Sequence, residues 1–132
     1  MKRIIKFRAW TGEKMLYPED RDMKFEPNDL FNKLFYRPMS ALLGDSNDYI
    51  WMQFTGLTDK NGKEIYEGDI VKDNSIKNRG NTLVIIWNAK YMSFVGRREF
   101  GNNTYWDCEL YDSLEKELEV IGNIYENKDL LK

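Results

Sequence analysis

Apolar and polar residues alternate along much of the chain, and this alternation predicts mainly β-structure. Apolar side chains recur at alternating positions in segments 3–10, 49–54, 104–110 and 119–125. Because successive side chains of a strand point to opposite faces, each segment is expected to form a strand with one buried face. In 104–110, Cys108 is expected to point into the core. The run Leu83–Trp87 is apolar throughout, which predicts a strand buried on both faces. Tyr91-Met-Ser-Phe-Val95 is predicted to pair with it as the next strand.

Turn residues separate the predicted strands. Asn61-Gly62 is the strongest turn signal, and Gly101-Asn-Asn103 predicts another turn. Glu67-Gly68-Asp69 is expected to turn the chain into a strand at Ile70. Residues 54–72 therefore hold a turn, a glycine hinge and a strand start in one short stretch. Every polar residue in this stretch has a structural role available to it, so we interpret the stretch as specifying the fold.

A helical pattern occurs in the segment that follows Pro27. Asn28 is a suitable cap, and the helix is expected to end before Pro38. The apolar stripe of this helix consists of Leu30, Phe31, Leu34 and Phe35. The stripe either docks a partner or another copy of the chain, or closes the open end of a β-core. A helical turn at 113–117 and a short helix or turn at 127–131 are also predicted.

The overall composition is that of one folded domain. The 132 residues are 42% hydrophobic and 32% charged, which suits a globular protein that buries its own core. Aromatic residues make up 14%, which favours β-structure because flat rings pack well on a pleated surface. We predict a single domain over 1–132, in which 1–48 hold an N-terminal hairpin and an irregular or helical segment and 49–132 a barrel-like part.

Charge and residue counts exclude several function classes. The net charge is −2, so no global positive field attracts nucleic acid. The chain has no histidine and one cysteine, Cys108, which excludes histidine-based catalysis, Cys/His zinc sites and an internal disulfide. Without a signal-like segment or a long apolar run, a bacterial cytoplasmic location without membrane insertion is expected. We predict no catalytic residues, no metal and no cofactor.

The stretch Phe54-Thr-Gly-Leu-Thr-Asp-Lys-Asn-Gly-Lys-Glu-Ile-Tyr-Glu-Gly-Asp-Ile-Val71 resembles the YopX family, small proteins of bacteriophages and prophages. Ile5-Lys-Phe-Arg-Ala-Trp10 resembles the opening of that family, and Glu119-Val-Ile-Gly-Asn-Ile-Tyr-Glu-Asn127 resembles its closing strand. The resemblance implies a β-rich fold and an oligomer, and it brings no assigned reaction. Tyr66–Val71 also resembles the start of SH3-like barrels. We expect a mainly β fold with some helix: a small, SH3-like, partly open barrel packed with an N-terminal hairpin and one or two short helices.

The favoured hypothesis is a non-enzymatic accessory protein of a phage or prophage. Such a protein would be a self-associating β-barrel module that binds a host or phage macromolecule. The surplus of aromatic and Met residues supports this hypothesis, because exposed aromatic side chains are typical interface anchors.

Nucleic-acid binding is the first alternative. Small barrels bind single strands on aromatic platforms flanked by basic residues. The candidate residues for such a face are Trp87, Tyr91, Arg97, Arg98 and Tyr105. Aromatic residues in the core together with solvated arginines explain the same pattern. The net negative charge of the chain favours this structural explanation over nucleic-acid binding.

A metal-dependent hydrolase is the second alternative. Its carboxylates would come from Asp59, Glu64, Glu67 and Asp69. Carboxylate oxygens suit Mg²⁺ or Mn²⁺. Asp59 is better explained as a turn residue, and Glu67 and Asp69 as the polar neighbours of the glycine hinge, so this alternative ranks last.

Overall fold

The computed structural model describes residues 4–18, 49–75, 80–110 and 116–131. The chain divides into two compact units, Met1–Phe54 and Thr55–Lys132. The strands are β1 (Phe7–Trp10), β2 (Met15–Leu16), β3 (Ile50–Thr58), β4 (Glu64–Tyr66), β5 (Asp69–Asp73), β6 (Asn81–Asn88), β7 (Ser93–Gly101), β8 (Thr104–Glu109) and β9 (Leu118–Asn123). A 3-10 helix, Lys128–Leu131, follows β9 and confirms the short helix or turn predicted there. Within the described ranges, no helix is long and apolar enough to cross a membrane.

The first unit contains β1, β2 and most of β3. β1 lies between β2 and β3 and pairs antiparallel with both, so Ala9 stands opposite Leu16 on one side and Trp51 on the other. Ala9 and Leu16 are buried, with Tyr49 and Trp51 packed against them. Arg8 is buried despite its charge: only 1% of it is exposed. Its guanidinium lies 5.8 Å from the ring of Tyr17, which provides an aromatic surface for the buried cation.

The second unit is built on a five-stranded antiparallel sheet. The strand order is β8-β7-β6-β5-β9, and the sheet is curled into a half-barrel. β4 pairs with β3, and the Asp59–Lys63 turn joins them. One face of the five-stranded sheet packs against Ile65 of β4 in a core cluster whose fully buried members are Ile65, Val71, Leu83, Ile85 and Leu118. With a half-barrel sheet and a second sheet, the predicted mainly β fold is confirmed.

Three local features of this unit sharpen or correct the sequence analysis. Cys108 packs against the core cluster, as the alternation predicted. The run Leu83–Trp87 is not buried on both faces: Leu83 and Ile85 are buried on one face, whereas Val84 and Ile86 on the other are only partly buried. Trp87, at the end of the run, is exposed. β7 begins at Ser93 rather than at Tyr91, because Met92 adopts a positive φ of 51° within the turn. The helical predictions at 28–35 and 113–117 lie wholly or mostly outside the described residues.

Candidate functional site

Asp59 joins the turn after β3 to the strand β9. Its Oδ1 accepts hydrogen bonds from the backbone N–H groups of Asn61 (2.8 Å) and Lys63 (2.9 Å), and its Oδ2 accepts one from Val120 (2.9 Å). Burial of Asp59 opposes its charged form, but the hydrogen bonds from Val120, Lys63 and Asn61 outweigh burial and lower its pKa below the usual 3.8. This carboxylate therefore connects two segments that are distant in the sequence.

The Gly68–Asp69 pair forms a second structural joint. Gly68 has a φ of 86°, a conformation that side chains other than glycine rarely adopt. Its N–H donates to the carbonyl of Ile85 (2.8 Å), and its carbonyl accepts from the N–H of Ile124 (2.9 Å). Asp69 Oδ2 accepts from the N–H of Tyr66 at 2.7 Å, which closes the turn into β5. The polar residues of this stretch hold strands together, in agreement with our interpretation from sequence.

Two of the four carboxylates of the hydrolase hypothesis, Asp59 and Asp69, form the structural contacts described above. Asp59 and Asp69 accept backbone hydrogen bonds, and both are buried. Glu64 and Glu67 also have interaction partners. In the part of the chain that the structure describes, no group of three or more Asp, Glu or Cys side chains is placed to hold a metal ion. The geometry of these carboxylates thus gives no support to metal-assisted hydrolysis.

The structure divides the predicted nucleic-acid face between the two faces of the five-stranded sheet. Arg97 and Arg98 are consecutive residues of β7, so their side chains project to opposite faces. Trp87 lies on the core face, where its ring contacts Phe94 with centroids 5.1 Å apart. Arg98 shares that face. Arg97 and Tyr105 lie together on the outer face, and Tyr91 lies in the β6–β7 turn.

Arg97 is the centre of a charge-paired network on the outer face. Its guanidinium makes two hydrogen bonds to Asp107, of 2.8 and 2.9 Å, and stacks on the Tyr105 ring with Cζ 3.7 Å from the centroid. Asn88 donates a further bond to Asp107 at 2.8 Å. The hydrogen bonds from Arg97 lower the pKa of Asp107, while the bond to Asp107 raises the pKa of Arg97. This positive charge is neutralised within the sheet, so Arg97 is poorly placed to bind phosphate.

β8 is an edge of the five-stranded sheet and carries exposed aromatic side chains. Among the described strands, β8 pairs only with β7. The β7–β8 hairpin turns at Asn102 and Asn103, which have positive φ values of 52° and 60°. Around this turn, Phe100 is 59% exposed, Tyr105 55% and Trp106 40%. An edge strand offers unpaired backbone groups, and exposed aromatic rings anchor interfaces, so this edge is the strongest candidate for a binding surface.

A groove on the outer face of the sheet is a weaker candidate. Its volume is about 720 Å³, and its apolar lining comes from Val84, Ile86, Ile124, Leu130 and Leu131. Arg97 also lines it, but this guanidinium is already paired with Asp107. The polar residues Asn81, Thr82, Arg98 and Glu99 are also part of its lining, and Arg98 donates a hydrogen bond to Asn81. Among the residues that the structure describes, no aromatic one lines this groove, whereas exposed aromatic side chains surround the β7–β8 turn.

Phe100 and Trp106 are surface residues that the sequence pattern did not indicate. Alternation correctly places Trp106 on the face of Cys108, but alternation gives the face of a strand and not how far the core extends along it. In the structure the core reaches Cys108, and the end of the hairpin next to the turn is exposed. Aromatic residues on both sides of the Gly101-Asn-Asn103 turn were the available signal, because a hairpin tip commonly projects from its sheet.

Comparisons with known proteins agree with the resemblance that the sequence showed. The sequence profile of the family described as YopX protein matches residues 6–132. The chain belongs to the YopX family. A solved structure, the crystal structure of protein EF1440 from Enterococcus faecalis, is similar to this YopX-family chain with a TM-score of 0.53 and 26% sequence identity. The similarity covers 99% of this chain and 100% of the other. No match is found among curated proteins.

The hydrogen bonds of Asp59, Gly68 and Asp69 involve residues of the sequence stretches that resemble the YopX family. The stretch by which the sequence resembled the YopX family contains Asp59, Gly68 and Asp69, and its closing strand contains Val120. Asp59 bonds to the backbone of Val120, so these two separated parts of the YopX pattern are in direct contact. These stretches thus contain residues that build the fold. The residues of β8 lie outside stretches 5–10, 54–71 and 119–127.

Proposed function

We propose that this YopX-family chain is a phage or prophage accessory protein that acts by binding rather than by catalysis, and that it self-associates. The observation that carries the proposal is the β8 edge, where Tyr105 and Trp106 are exposed next to Phe100. Isolated exposed apolar residues are ordinary, but exposed aromatic residues on both faces of a strand that ends the described sheet favour pairing with another strand.

A second copy of the chain is the partner that the edge suits best. Strand addition would supply hydrogen bonds to the backbone groups of β8 that point away from β7, and cross-strand aromatic pairs add further stabilisation. Arg97 and Asp107 neutralise each other, so no unpaired charge on Arg97 has to lose its water when the edge is covered. A host or phage protein could bind the remaining surface of the assembled module.

The nucleic-acid alternative lacks a comparable observation. Two of its candidate residues, Trp87 and Arg98, lie on the face opposite to that of Arg97 and Tyr105, so no single platform collects the five. Nucleic-acid binding stays a prediction from sequence. Titration of the wild-type chain with labelled single-stranded oligonucleotides over a salt series would favour it if binding weakened steeply with salt.

Sedimentation velocity over a micromolar concentration series tests self-association. The wild-type chain is expected to sediment as an oligomer that dissociates on dilution. Trp106→Glu is expected to weaken the association about tenfold or more, because a charge on an edge strand opposes pairing. Ile121→Glu is the matched control, since Ile121 lies half-exposed on β9 at the other edge of the sheet.

Two outcomes would contradict the proposal. A wild-type chain that stays monomeric throughout the series removes self-association. Equal weakening by Trp106→Glu and Ile121→Glu, with both variants as folded as the wild type by circular dichroism, removes β8 as the contact.

A further inference from the structure

The sequence of β8 restricts how two copies could pair through it. Antiparallel pairing of identical edges places a two-fold axis perpendicular to the sheet, and this axis keeps each face on its own side. Residues that stand opposite each other must therefore share a face. Thr104, Trp106 and Cys108 form one set, and Tyr105, Asp107 and Glu109 form the other. Only registers that pair members within a set are allowed.

Like charges disfavour two of the four registers centred on residues 105–108. An axis at Asp107 places that carboxylate opposite its own copy, and an axis at Cys108 places Asp107 opposite Glu109. Like charges that stand directly opposite each other destabilise a pair of strands. An axis at Tyr105 avoids this repulsion but uses only residues 104–106 of the strand. An axis at Trp106 avoids it as well and uses residues 104–108.

We propose that two copies of the chain pair antiparallel through β8 with Trp106 on the two-fold axis, so that their half-barrel sheets form one continuous sheet. This inference rests on the proposed function and specifies its partner and register. Trp106 stands opposite Trp106 of the second copy, Thr104 opposite Cys108, and Tyr105 opposite Asp107.

The contacts within one copy suit this arrangement. Arg97 stacks on Tyr105 and bonds to Asp107, so each copy brings a neutral Arg97–Asp107 pair next to the tyrosine of the other. Glu109 falls opposite Asn103 in the turn, where no carboxylate faces it. The two Trp106 rings form a cross-strand aromatic pair, which stabilises paired strands beyond the area that it buries.

Cysteine cross-linking tests the register, because the chain already carries Cys108 on β8. Thr104→Cys places a thiol opposite Cys108 of the second copy, within disulfide reach. Oxidation by diamide, which takes up the two thiol hydrogens of each pair and becomes a hydrazine, then forms two disulfides per dimer. Most of the variant is expected to run at twice the monomer mass on a non-reducing gel and to return to the monomer mass after reduction.

The wild type and Thr104→Cys/Cys108→Ser are the matched controls. In each control, the single cysteine of one copy lies four residues along the strand from the position opposite the cysteine of the other copy, a distance of about 13 Å. This separation exceeds the Cα distance of about 7 Å that a disulfide can bridge. Neither control is expected to cross-link.

Thr104→Cys also removes the hydrogen bond from the Thr104 hydroxyl to the carbonyl of Gly101 (2.6 Å), so a second pair of variants keeps the test independent of this turn. Trp106→Cys/Cys108→Ser puts its thiol on the axis and is expected to form one disulfide. Tyr105→Cys/Cys108→Ser, one residue away, is expected to form none, whereas an axis at Tyr105 requires the reverse.

The results separate this inference from the proposed function. Cross-linking of Thr104→Cys, or of Trp106→Cys/Cys108→Ser if the first variant is unfolded, supports the register. An oligomeric wild type with no cross-link in either variant overturns the register and leaves self-association standing. A monomeric wild type overturns both.

Discussion

Asp59→Ala is expected to lower the free energy of unfolding by about 3 kcal/mol. The substitution removes three hydrogen bonds to a buried carboxylate and leaves the N–H groups of Asn61, Lys63 and Val120 without that acceptor. Hydrogen bonds to charged groups contribute about 1.5–3 kcal/mol each, and relaxation of the turn recovers part of the loss. Urea unfolding of both proteins, followed by circular dichroism, gives the difference directly.

The pH dependence of stability provides a second readout for the same residue. Because folding lowers the pKa of Asp59 below its usual 3.8, its contribution is complete above that value and is lost as the pH falls through the folded pKa. The difference between wild type and Asp59→Ala should therefore shrink below about pH 4. Lys60→Ala is the control: it removes only an exposed ion pair with Glu119, 3.2 Å long, which contributes about 0–1 kcal/mol. Equal stability of Asp59→Ala and the wild type at neutral pH would refute the role of this carboxylate.

Gly96→Ala is expected to destabilise the second unit by about 1–3 kcal/mol. An added Cβ would lie 2.8 Å from Cδ1 and 3.3 Å from Cβ of Leu83. Leu83 is fully buried in the core cluster, so it has no free space into which it could move. A shift of β6 or β7 would disturb the pairing of Gly96 with Ile85 of β6 and Cys108 of β8. Thermal or urea unfolding measures the loss.

A double-mutant cycle with Leu83→Ala controls for generic effects of the substitution. Leu83→Ala alone leaves a cavity and should cost about 2–5 kcal/mol. In the double variant the new methyl group enters the space that Leu83 vacated, so the combined loss should fall short of the sum of the single losses by about 1 kcal/mol. Strictly additive losses would show that the close approach of Gly96 and Leu83 does not limit the packing.

The fold could be predicted largely from local pattern, for reasons visible at particular residues. The polar and apolar alternation of β3 and β9 gave both strands because one face of each carries apolar side chains. The positive φ of Gly62 and Gly68 explains why these glycines marked turns. The start of β7 was placed two residues early, because Tyr91 and Met92 are apolar enough to extend the strand pattern into a turn.

Features that depend on distant contacts were less accessible from sequence. Arg8 has the sequence pattern of a solvated residue, and its burial depends on neighbours such as Tyr17 that the pattern of one strand does not reveal. Arg97 and Arg98 are adjacent in the sequence and so resemble one basic patch, but consecutive residues of a strand project to opposite faces. Which strand forms the edge of a sheet follows from strand order, so the exposure of Trp106 on β8 required the structure. The predicted stripe of Leu30, Phe31, Leu34 and Phe35 lies outside the described residues.

Backbone amide exchange measured by NMR over a protein concentration series tests the central claim, self-association through β8, most directly. As the concentration rises through the dissociation constant, amides of Thr104–Glu109 that point away from β7 should exchange more slowly. Amides of β9, at the other edge of the sheet, should keep their rates. Exchange in β8 that does not depend on concentration, or new protection at β9 instead, would contradict the account.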